Sequence, residues 1–354
     1  NDGSDEIHDA IANLAITTLA TSGAAVIGAA ATTGISVAGI PFYSADSSIY
    51  THDVSGTDST AQQNAAYGTN ALDAITTGDA NTAIGFGSSS GVTTGTRNVA
   101  LGRSSLDSPD TENDNLAIGY NALAGAINGG EFNVAIGNYA LDALTSGDYN
   151  VAIGYEAGSS LTTHNSDVLI GYQAGKALST GDDGVIAIGY QAGLALTTCS
   201  SSVFIGKNAG DGHDTEDHNM GIGRHALGGS VAGGEYNVAI GSYSLDALTS
   251  GDYNVAVGYN SGTAINSGEA HTLVGNEAGR KITTSAHNTC IGYFAGGELT
   301  TGATNIAIGS LALDGCDTES NNVAIGFAAL GGAVAGGEYN VAVGNYTLDA
   351  LTSG

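Results

Sequence analysis

One feature limits what this chain can fold into: a short repeat that runs through most of its length. Glycines from Gly68 to Gly344 recur seventeen times, always 17 or 18 residues apart. Each closes a motif of the form Asn-x-Ala-Ile-Gly. The residue before the Gly is Ile, Leu or Val in every copy except the first, which has Tyr67. Two residues earlier stands another mostly apolar side chain, such as Val134 or Val151, and between them lies Ala in twelve copies. Alternation of this kind is the signature of a short strand with two unlike faces. A rung of this size cannot bury its own apolar stripe, but a stack of rungs in register can. The sequence therefore predicts an all-β fold, a parallel β-solenoid or β-roll of about seventeen rungs over residues 61–354. At about 4.8 Å per rung the array would run about 80 Å.

The columns around the motif sharpen this reading. Asn precedes the strand in thirteen copies, among them Asn133, Asn150 and Asn237, and is expected to form a structural ladder. Gly137, Gly154 and Gly241 stand where the backbone must turn tightly. The residues before them, Ile136, Ile153 and Ile240, are expected to be buried, with Ile136, Ile153 and Ile170 in one row. Seven residues after the Gly, eleven copies place an aliphatic residue, and a polar turn rich in Thr, Gly and Asp follows. Leu169, Phe204 and Leu273 are large exceptions in the Ala column.

Residues 1–60 lie outside the array. Ile7, Ile11 and Leu14 share one helical face, and the β-branched, Gly-rich stretch after Ala24 reads as strands or an extended connector. At the other end the array stops in mid-repeat at Gly354, which reads as a segment of a longer protein.

Charge narrows the partners. With 35 acidic and 7 basic residues the net charge is −28, so nucleic acid and anionic membranes are repelled, and no membrane insertion is expected. Cys199, Cys290 and Cys316 have no metal-ligand spacing and read as small buried residues. No nucleophile elbow, Cys–His pair or phosphate loop is present, so the chain does not read as an enzyme.

A longer period lies over the first. The segment Gly-Glu-Phe-Asn-Val-Ala-Ile-Gly at 130–137 returns after six rungs with Tyr for Phe, and again six rungs later. An acidic loop keeps the same register, at Asp110-Thr111-Glu112, Asp214-Thr215-Glu216 and Asp317-Thr318-Glu319. These loops are expected to bulge into solvent. The densest polar cluster combines His213, His218, Asp214, Glu216 and Asp217, and the three carboxylates are the candidate cation ligands, with calcium the ion in view. A plain solvated loop is the alternative. Tyr or Phe follows the Gly in eight copies, and where Asn138, Ser242 or Asn345 takes that place, Tyr139, Tyr243 or Tyr346 comes one residue later. Such a ladder packs between chains or stacks on sugars.

The run Asn-Val-Ala-Ile-Gly-Tyr-Glu-Ala-Gly-Ser-Ser-Leu-Thr-Thr at 150–163 resembles the repeats of bacteriophage tail-fibre proteins, and is similar to the head repeats of trimeric autotransporter adhesins. The resemblance implies a β-roll in which three chains intertwine or pack as a homotrimer. It also implies a virion or cell-surface location and a host cell-surface receptor, a glycan among the candidates.

Overall fold

The structure, a computed structural model, describes residues 35–37, 40–45, 48–50, 60–108, 111–180, 183–230, 233–332 and 336–351. The helix expected around Ile7, Ile11 and Leu14 lies outside the described residues, as does the loop at Pro109 and Asp110. Each rung contributes one strand of three residues, from β4 (Ala65–Tyr67) to β20 (Val341–Val343). Every strand pairs in parallel with the next and in register, so that Ile136, Ile153 and Ile170 do form one row. At the N-terminal side β1 (Ile35–Val37), β2 (Ile40–Ala45) and β3 (Ser48–Tyr50) form an antiparallel meander. β3 then joins β4 in parallel, adding an eighteenth strand to a β-solenoid of about 16 turns. Among the described residues antiparallel pairing is thus confined to the meander, and no helix occurs.

The interior lies on the Ala side of the sheet. In each rung the middle residue of the strand is buried while its two neighbours are half-buried or exposed, Ile84 reaching 45 % and Ile240 37 %. This corrects the expectation that the β-branched residue before each Gly is buried. The reason is volume. The opposite wall of each rung supplies the large side chains: Leu144, Leu161, Leu178 and Leu196 seven residues after the Gly, and Leu123, Leu141 and Leu245 four after it, all fully buried. Only a methyl group fits between that wall and the sheet. Where the strand carries a larger residue, the opposite wall yields. A Cβ on Gly175 would fall 2.7 Å from Leu169 Cδ2, and one on Gly279 2.8 Å from Leu273 Cδ2. Gly210 makes the same room for the Phe204 ring. Paired substitution of this kind keeps the packing density of a solid interior.

The Asn ladder closes one corner of the rung. The Asn150 N–H donates to Asn133 Oδ1 at 2.9 Å, and Asn150 Nδ2 donates to the His164 carbonyl one rung on at 2.7 Å. Asn133 and Asn237 make the same two bonds with their neighbours, and all three are buried. Buried turn carbonyls and strand-entry N–H groups are satisfied in this way without water. At Asp167 the column changes chemistry. This carboxylate accepts from the Val185 N–H at 2.8 Å and lies 3.1 Å from His164 Nδ1, both side chains being fully buried.

Candidate functional site

The three candidate cation ligands do not converge. Glu216 is buried, and its carboxylate accepts the N–H groups of Asp214 at 3.2 Å, Thr215 at 3.3 Å and Gly233 at 2.9 Å. Asp217 Oδ1 instead accepts from the Ser200 N–H at 2.7 Å and hydroxyl at 3.0 Å, on the preceding rung. Asp214 is exposed and holds the Thr197 N–H through its backbone carbonyl. Among the described residues, no group of three or more His, Cys, Asp or Glu is placed to hold a metal ion.

The acidic loops therefore do not bulge as expected, since each turns its Glu inward. Glu112 and Glu319 repeat the pattern of Glu216, accepting from Gly129 and Gly336 at 2.9 Å. The reason is rung length. Gly129, Gly233 and Gly336 sit in rungs of 18 residues, whose extra residue leaves an N–H without a partner inside its own turn. A glutamate on the preceding rung supplies the acceptor. Burial works against the Glu319 charge, but these backbone N–H groups outweigh it and hold its pKa below the usual range. His213 likewise does not leave the core: it takes the aliphatic position of its rung, fully buried against Phe204. We expect Glu216→Ala to lower stability by about 2–4 kcal/mol, because three N–H groups lose their acceptor, and Glu216→Gln by clearly less. Urea unfolding of the two variants checks this. Equal effects would place the side chain in solvent.

The three cysteines are buried and unpaired. Burial pushes each thiol up to about 12, which leaves no reactive thiolate at neutral pH.

The outward side of the sheet is the distinctive surface. Two columns of β-branched and other apolar side chains run along it, one before the buried Ala and one after. Aromatic columns flank them. On one side Tyr155, Tyr172 and Tyr190 stack at 5.5 and 5.2 Å, nearly parallel. On the other Phe132 stacks on Tyr149, and His218, Tyr236 and Tyr253 form a second run at 4.8 and 5.3 Å. Rings stacked on one another cover their own faces, so these stretches offer edges rather than platforms to a sugar.

Charge is nearly absent from this face. Across the seventeen rungs, the seven residues from the first aromatic column to the second include only Asp114 and Asp167 of the 35 acidic groups. Asp114 is paired with Arg97 at 2.6 Å, and Asp167 points into the core. Four of the seven basic residues, Arg97, Arg103, Lys207 and Arg224, belong to the same window, and the last three lie over Phe or Tyr rings. A chain of charge −28 thus keeps one long face apolar, aromatic and slightly basic.

These features define a β-solenoid repeat protein. No family model, curated protein or solved structure matches the chain. No helix among the described residues is long and apolar enough to cross a membrane.

Proposed function

We propose that the chain is the shaft of a structural and adhesive fibre, a phage tail fibre or other virion appendage used in host attachment, assembled as a homotrimer through its sheet faces. The observation that carries this reading is the segregated face. Seventeen strands about 4.8 Å apart, each of three residues at about 3.3 Å per residue, give a surface on the order of 800 Å² before the flanking aromatic columns are added. The largest apolar patch on a typical monomer is about 300–600 Å². A standard interface needs about 800 Å² from each partner. Parallel copies around a common axis bring like columns together, Val and Ile against Val and Ile, and leave the acidic turns pointing outward where they repel each other least.

The number three and the attachment role rest on the resemblance of the repeat to tail-fibre and adhesin-head repeats. A bacterial surface adhesin would be the same build carried by a cell instead of a virion. Either way the fibre works outside the cell and its partner is a host cell-surface receptor.

Light scattering on the purified chain tests the assembly. The expected mass is three times 34.8 kDa. The double variant Ile153→Asp and Ile188→Asp places two charges on the outward columns, leaves the Ala core untouched, and should give a folded monomer. A wild-type chain that stays a folded monomer at micromolar concentration would overturn the reading.

A further inference from the structure

The stacked aromatic column is interrupted, and the interruption makes a hollow. Asn138 takes the place of the aromatic in its rung and accepts the Tyr120 N–H at 2.9 Å. The ring moves one residue on, to Tyr139, and stands at 89° to Tyr120 and 83° to Tyr155. A perpendicular ring cannot continue the stack. The gap beside it has a volume of about 280 Å³ and is lined by Tyr139, Asp142, Tyr155, Glu156, Ser159 and Lys176. That is close to the lower end of ligand pockets, about 300 Å³. Asp142 Oδ1 is shielded from solvent there and has no hydrogen-bond partner. Glu156 is ordered by Lys176 and by Gln173 Nε2 at 2.8 Å.

A one-sided break occurs six rungs on, where Tyr243 stacks on His225 at 5.4 Å. Tyr243 stands at 85° to Tyr259, and Asp246 follows it as Asp142 follows Tyr139. There Asn260 replaces Glu156, and Arg280, in the place of Lys176, is drawn to Glu277, Glu298 and the Phe294 ring. The set of polar groups is therefore fuller at Tyr139.

We propose that the hollow at Tyr139 and Tyr155 is a binding subsite for one neutral pyranose ring, its C–H face against a tyrosine and its hydroxyls donating to Asp142 and Glu156 and accepting from Lys176. Tyrosine faces suit the apolar side of a sugar, and the carboxylates of Asp142 and Glu156 that line the hollow suit its hydroxyls. The net charge of −28 disfavours uronic or sialic acids. The subsite rests on the adhesive reading above for its biological role, and on the geometry of a single chain for its existence.

The test is saturation-transfer NMR with the methyl glycosides of glucose, galactose and mannose on the full chain. We expect at least one to bind with Kd on the order of 1 mM. Tyr139→Ala should weaken it at least tenfold, and Ser159→Arg, which fills the hollow without touching the core, should abolish it. Absence of binding by all three sugars, or binding unchanged by both variants, overturns the subsite. The oligomeric state separates the two proposals. If the wild type is monomeric yet binds sugar in a Tyr139-dependent way, the subsite stands and the fibre assembly fails. A trimer that binds none of the three sugars sinks the subsite and leaves the assembly standing.

Discussion

Gly154→Ala is expected to destabilise the array by more than about 4 kcal/mol, the range reserved for severe and specific defects. Gly154 has φ +141°, a region that side chains do not enter without strain. Strain alone accounts for about 1–3 kcal/mol. The rest comes from the stack. A Cβ on Gly154 would overlap the Gly171 carbonyl, 2.6 Å from its carbon, and Gly171 meets Gly189 in the same way. The obstacle is backbone fixed in a parallel ladder, so no side chain can swing aside. Gly129→Ala is the control. Its φ is +105°, but an added Cβ has nothing within 4 Å, so only the strain remains. Urea unfolding followed by circular dichroism compares the two, and hydrogen exchange should place the opened amides of Gly154→Ala at the junction of neighbouring rungs. A loss below about 1 kcal/mol for Gly154→Ala would mean that the rungs are spaced more widely than the structure has them.

The repeat makes the architecture legible because each constraint appears seventeen times. A glycine without a side chain leaves the same mark in all seventeen copies, and a buried Asn with two bonds to make leaves it in thirteen. The direction of the sheet is harder to read. A strand of Val-Ala-Ile offers two apolar faces, and β-branched residues look like core until the opposite wall is counted. Leu at the fourth position after the Gly supplies that wall, yet it does so with a left-handed backbone, Leu141 at φ +50° and Leu245 at φ +50°. Nothing in a leucine announces that conformation, which sterics disfavour. Two further signals are present in the letters. Phe204 departs from the Ala column in a rung that carries Gly rather than Leu at the fourth position, Gly210, and a glutamate (Glu112, Glu216 or Glu319) stands one rung before three of the lengthened turns. An acidic residue in a loop is ordinarily solvated, so the second signal does not stand out from plain surface variation. The hollow at Tyr139 leaves only the displacement of one aromatic by one residue.

Two buried histidines should make the rod sensitive to acid. His271 stands in the Asn column and imitates Asn: Nε2 lies 2.9 Å from the Ser285 carbonyl, and the Asn288 N–H donates to Nδ1 at 3.1 Å. This fixes the neutral ring with its proton on Nε2, and a second proton would have to sit on the nitrogen already facing a donor. His213 makes no hydrogen bond through either ring nitrogen. Burial is the main cause in both cases, and it pushes each pKa down to about 4. The folded value lies below the unfolded one, about 6.5, so the unfolded chain binds more protons between the two. Stability is complete above pH about 6.5 and is lost as the pH falls toward 4, by about 3 kcal/mol for each histidine. His164 works in the opposite sense. Burial opposes its charge, but Asp167 prevails and raises its pKa, so its contribution is held at low pH and lost as the pH rises. The measurement is therefore a difference between variants. His271→Asn restores the ladder and should match the wild type at pH 7 while exceeding it by about 2–3 kcal/mol at pH 4.5. His213→Leu removes two unpartnered nitrogens from the core and should gain about 1–3 kcal/mol already at pH 7, and more in acid. Urea titrations at the two pH values decide the matter. A His271→Asn advantage that does not grow on acidification would mean that His271 titrates as an exposed imidazole and is not part of the ladder.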